Sequence, residues 1–268
     1  MHRGVRFLIL AAVVVAATTL IFARPPIPQS LDYHNFADQR SFVGIPNFLD
    51  VISNLPFLIV GIWGLLVVTS PKHAGSFMTS AERWPYVVFF LGVALTCFGS
   101  SYYHLHPTNG RLVWDRLPMT LGFMGILSAT IDERINIKIG VRLLPLLVAA
   151  GVFSVLYWSW TEANGRGDLR PYYLVQFGSL FVLLAMLFLF PPRYSRSWCV
   201  WAALACYVAA KLLETLDSEI YDFGHAVSGH TLKHLAAAGA GYFIVLMVQR
   251  RVTERRADSH DRQVVSAQ

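Results

Sequence analysis

The chain has 268 residues, 55% of them hydrophobic and only 14% charged, and its mean hydropathy is +0.49. That balance excludes an ordinary soluble globular protein and points to a polytopic membrane protein. The net charge of +6 is accounted for by the flanks of the apolar segments and by the C-terminal tail, so it calls for no nucleic-acid partner.

Eight apolar runs, each near the roughly 20 residues that cross a bilayer, fall near 6–23, 47–69, 85–104, 112–131, 142–160, 171–190, 198–215 and 230–248. The connections are too short for a soluble domain. The expected fold is all-α, a polytopic transmembrane helix bundle with a seven-helix core and an extra N-terminal hydrophobic segment. Residues 1–29 read as a signal anchor or signal peptide. Ile21 and Ala23 make a poor cleavage site, which favours the anchor. Residues 30–249 form the core domain, and 250–268 a polar cytoplasmic tail. Arg3 and Arg6, Lys72 and Arg83, Arg134, Lys138 and Arg142, Arg193 and Arg196, and Arg250, Arg251, Arg255 and Arg256 alternate with less basic loops. This alternation predicts a cytoplasmic-membrane protein with both termini cytoplasmic. Cys97, Cys199 and Cys206 lie inside apolar runs without CxxC spacing and suggest packing, not disulfides.

With that topology, Ser100 and His104, then Asp115, then His230 and His234 all fall at the outer ends of their segments. Residues four apart on a helix share a face. Three imidazoles from two helices, with a fourth position open, are the donor set of a catalytic zinc site. His230-Thr-Leu-Lys-His234 has zincin spacing but lacks the glutamate that would serve as general base. Asp115 is the best substitute, and Ser100 can stabilise an oxyanion or position water.

Each residue taken singly has a plainer reading. An HxxxH pair arises by chance, Ser100 can bond back to its own helix, and Asp115 can pair with Arg111 or Arg116. Glu214, Asp217, Glu219 and Asp222 read as an acidic solvated loop, and His225 as a loop residue. Lys211 and Glu214 are too few to make an ion pathway. The lipid-chain cavity is expected around Phe98, Met119 and Phe123.

The order S-x3-H, D, H-x3-H resembles the alkaline ceramidase family, in the superfamily of membrane hydrolases that includes the adiponectin receptors. Phe98-Gly-Ser-Ser-Tyr-Tyr-His104 and Arg111-Leu-Val-Trp-Asp-Arg-Leu-Pro-Met119 carry the likeness. Asn47-Phe-Leu-Asp-Val-Ile-Ser-Asn54 is similar to that family's Asn-x-x-Ser-Asn helix start, and Gly229-His-x3-His234 to its last helix. The resemblance spans about residues 32–248. It implies a zinc-dependent amidase acting on the N-acyl bond of a ceramide-like lipid, with His104, His230 and His234 as zinc ligands and Ser100 and Asp115 at catalytic positions. The alternative is a non-catalytic receptor that binds lipid and metal. Animal members also carry a calcium site ahead of the first core helix. Here Asp32, Asn35, Asp38 and Asn47 offer fewer charges to Ca²⁺, and an Asx-rich turn is the plainer account.

Overall fold

The computed structural model describes residues 1–253, so most of the sequence-predicted tail, 254–268, lies outside the described residues. The described residues contain no β-strand. The helices are α1 (Arg3–Phe22), α2 (Phe48–Ile52), α3 (Leu55–Thr69), α4 (Arg83–Leu105), α5 (Asn109–Arg134), α6 (Ile137–Ala163), α7 (Arg170–Tyr173), α8 (Ser179–Leu189), α9 (Trp198–Thr215), α10 (Asp217–Gly224) and α11 (Gly229–Arg250). A π-turn over Leu174–Gly178 joins α7 to α8. Side chains close the open N–H groups where helices begin: Thr108 caps α5, Asn136 caps α6 and Ser228 caps α11.

Seven helices among the described residues, counting α2 with α3 and α7 with α8, are long and apolar enough to cross a membrane. The segment predicted at 112–131 lies in α5. It has the length but is too charged to qualify, since Arg111, Asp115, Arg116, Asp132, Glu133 and Arg134 sit on it. All of these except Arg111 are buried, because α5 is packed between α4 and α6.

The contact between α4 and α5 is built on glycine, as in tightly packed membrane helices. A Cβ on Gly99 would lie 2.0 Å from the Trp114 carbonyl oxygen, and one on Gly92 2.6 Å from the Gly122 nitrogen. At the far end, a Cβ on Gly125 would approach the Phe89 nitrogen to 2.7 Å. Together with α3, α8, α9 and α11 these helices enclose an apolar cavity of about 340 Å³. The α1 helix lies outside the ring, with no buried residue, against α8.

Successive helices alternate in direction, so side chains gather at two ends. The end of α1 meets Arg170, whose Nη1 donates to the Arg24 carbonyl (2.7 Å), and its start lies at Phe190, the Phe7 and Phe190 rings being 5.3 Å apart. The ends of the described chain therefore share one end of the bundle. There Arg251, expected in the polar tail, is buried instead. Its guanidinium stacks on Tyr194 (4.2 Å), Phe77 (4.8 Å) and Tyr86 (4.8 Å), donates to the Tyr86 hydroxyl (2.7 Å) and the Ser76 carbonyl (2.9 Å), and lies 3.6 Å from Glu133. Cation–π stacking and a carboxylate together stabilise a charge that burial alone would expel.

The glycine seam generates a direct test. Gly99→Ala should lower the unfolding midpoint of the detergent-solubilised protein, at a cost of about 1–3 kcal/mol, the usual penalty for overpacking. Gly110→Ala, where an added Cβ meets nothing within 4 Å, should leave the midpoint level or slightly raised. Equal shifts in the two variants would show that the close approach at Trp114 is unimportant.

Candidate metal centre

His104 comes from the last turn of α4, and His230 and His234 from the first two turns of α11. Their ligand atoms all lie within 4.8 Å of one another, and ring centroids are 4.8–5.0 Å apart. Three imidazole nitrogens at this spacing could hold one metal ion. The rings are 1%, 4% and 3% exposed.

Several contacts hold this trio. Asp217 accepts from the His230 backbone N–H (2.6 Å) and from the Ala37 N–H (2.9 Å), tying the start of α11 to the segment before α2. Gly229 makes room for this: a Cβ there would lie 2.2 Å from the Leu213 carbonyl oxygen of α9. Asn47, in the left-handed region at φ 46°, donates from Nδ2 to the His104 carbonyl (2.8 Å). The Phe36 ring packs 4.6 Å from His104 and 4.4 Å from His230, closing one side.

A hydrogen bond also orients the His234 ring. Ser53 Oγ lies 2.8 Å from His234 Nδ1 and 3.2 Å from the Asp50 carbonyl; when its one proton goes to that carbonyl, the ring is the donor at Nδ1. That leaves the lone pair on His234 Nε2, as expected of a metal-binding histidine oriented by a second partner. His104 Nδ1 and His230 Nε2 are buried with no hydrogen-bond partner. Buried polar atoms are ordinarily satisfied, and a shared metal ion would account for an imidazole set arranged in this way.

Ser100 and Asp115 are both buried and both line the cavity, as does His234. The close approach of Gly99 to Trp114 sets these two neighbouring residues side by side. Neither arginine expected to compete for Asp115 does so. Arg111 donates to the Tyr102 carbonyl and stacks on that ring, and Arg116 donates from Nη2 to Gln29 Oε1 (2.6 Å).

The other sequence expectations have mixed outcomes. Met119 and Phe123 line the cavity, but Phe98 is 59% exposed on the outside of α4, because two residues from Ser100 is about 200° around a helix. The acidic run is not a solvated loop throughout: Asp217 pins α11, and Glu214 accepts from Lys211 (2.5 Å) and Lys233 (2.8 Å) at the cavity wall. Glu219, Asp222 and His225 are exposed. Among the calcium candidates, Asp38 is gripped by Arg40 through Nε (2.8 Å) and Nη2 (2.7 Å), which holds its carboxyl below the usual carboxylate range. Asn47 serves His104, and Asp32 and Asn35 are exposed. The cysteines are free.

Sequence reasoning missed Phe36, Asp50 and Asp217 as supports. Asp50 Oδ1 accepts from the Thr231 hydroxyl (2.7 Å), joining α2 to α11. No protein-family model, curated protein or solved structure matches the chain.

Elemental analysis of purified protein should find about one zinc per chain. His234→Ala should reduce occupancy about 10-fold or more, and Ser53→Ala should weaken zinc affinity by about 10–100-fold while leaving the ligands in place. Full occupancy in His230→Ala, His234→Ala would remove the site.

Proposed function

We propose that the chain is a zinc-dependent integral membrane hydrolase that cleaves the N-acyl amide bond of a ceramide-like lipid. The observation that carries this reading is a histidine trio that reaches, through His234, the wall of an apolar cavity also lined by Ser100 and Asp115. The resemblance of Ser100, His104, Asp115, His230 and His234 to the alkaline ceramidase pattern supports it.

His104, His230 and His234 would hold a zinc ion, which when bound would supply an activated water and polarise the amide carbonyl. Asp115, free of any arginine partner, takes the proton of the attacking water and returns it to the leaving amine nitrogen. The Ser100 hydroxyl donates toward the oxygen on which charge develops. The acyl chain lies deeper, where Met119, Phe123 and Ile244 line the cavity and exclude water.

Basic residues at the Arg251 end and the positive-inside rule support a cytoplasmic membrane location with both termini inside and the metal centre at the outer side.

Asp115→Asn should keep zinc and fold while lowering kcat by roughly 10²–10⁴, the size of a general acid/base contribution. Ser100→Ala should cost less, on the order of 10–10³. Fatty acid release from N-acyl lipids, with zinc measured on the same samples, reads both. Activity retained in Asp115→Asn, or zinc lost with it, would rule out the assigned role. Stoichiometric zinc with no release from any amide lipid would make the chain a binding protein.

A further inference from the structure

The polar end of the cavity holds more positive charge than the hydrolytic chemistry uses. Arg116, 5% exposed, lies one residue beyond Asp115 on α5. Its guanidinium carbon stands 4.3 Å from the Trp158 ring centroid, 4.7 Å from Tyr172 and 5.7 Å from Tyr33. Nη2 donates to an uncharged amide, and Nη1 is buried with no hydrogen-bond partner. Lys211 of α9 and Lys233 of α11 line the same cavity and share a single carboxylate, Glu214. Against these three cations stand two carboxylates, Glu214 and Asp115. One positive charge is therefore in excess, and a second appears once Asp115 takes a proton.

Charge in an apolar interior is costly unless it is paired, and a guanidinium with a free donor is matched geometrically by carboxylate or phosphate. We infer that the amine portion of the substrate carries an anionic group, a carboxylate or phosphate, bound by Arg116 with help from Lys211 and Lys233. The inference rests on the hydrolase reading for the word substrate, and on the cavity alone for binding. With the acyl chain among the apolar residues and the amide beside Asp115 and His234, the amine portion extends toward Arg116. A neutral hydroxylated headgroup leaves the excess charge uncompensated.

Two measurements on the full chain in detergent test this. The first is binding, read as thermal stabilisation by dodecyl phosphate, dodecanoate and neutral dodecanol, with zinc present and after zinc removal. At least one anion should half-saturate at about a 10-fold lower concentration than the alcohol in both states. Arg116→Gln should remove that advantage, and Lys138→Gln, at the other end of the bundle, should not. The second is turnover of dodecanoyl amides of glycine, phosphoethanolamine and ethanolamine, which separates carboxylate from phosphate from neutral. The kcat/KM ratio of the better anionic amide to the neutral one should be about 10 or more and fall toward one in Arg116→Gln, chiefly through KM, with partial recovery in Arg116→Lys. If Arg116→Gln does not fold, Lys211→Gln should reduce the ratio about 3-fold or more.

Equal binding of anions and alcohol, or an anion advantage that disappears with zinc, would overturn the inference. Equal hydrolysis of all three amides would overturn it while leaving the hydrolase reading intact. Arg116-dependent anion binding without hydrolysis of any amide would do the reverse.

Discussion

The structure depends on bringing three imidazole rings together inside an apolar bundle and holding each from outside its own helix. Rings 4.8–5.0 Å apart do not hold one another in place. They are held by groups from elsewhere: Ser53 on His234 Nδ1, Asn47 on the His104 carbonyl, Asp217 on the His230 N–H. Each support is itself anchored. Ser53 is fixed by Asp50, Asp50 by Thr231, and Asp217 by Ala37. The short α2 helix and the extended segment before it therefore act as a buttress for α4 and α11. Low surrounding dielectric makes such networks strong when complete and costly when broken.

How much of this the sequence discloses depends on distance along the chain. Ser100 with His104, and His230 with His234, are legible because four residues bring side chains onto one helix face. The common depth of these pairs and Asp115 follows from counting alternating segments. Ser53 and His234 are 181 residues apart, and no local pattern joins them. The Asx-rich run before α2 is visible as composition, but its work, Asn47 on a carbonyl and Asp38 in a clamp with Arg40, appears only in three dimensions. Phe98 was misplaced because depth in the membrane was considered without angle around the helix. Glu214 was misread as solvated because Lys233, which joins Lys211 three residues away in pairing with it, comes from α11.

The two ends of the bundle treat buried arginine differently. Arg251 has its donors met by Tyr86 and Ser76, with Glu133 near, and so ties the end of α11 to the loop after α3. Arg116 also has three aromatic rings about it, at 4.3–5.7 Å, yet retains an unused donor. The first arrangement is closed and structural. The second leaves one buried donor unpaired in a residue that lines the cavity.

The charges of α5 bear on how the bundle is assembled. A charge at the centre of a lone helix costs about 2.5–3.5 kcal/mol on entering lipid. The α5 helix keeps its charges toward its two ends, Arg111, Asp115 and Arg116 at one and Asp132, Glu133 and Arg134 at the other, which still lowers its hydropathy below that of the other spans. Its own residues therefore do not commit it to the bilayer as those of α3 or α8 do. The commitment comes from α4 and α6 on either side, through the glycine contacts and the partners they provide. The position of the residue proposed to carry the proton thus rests on the helices packed on either side of α5 more than on the hydrophobicity of α5 itself.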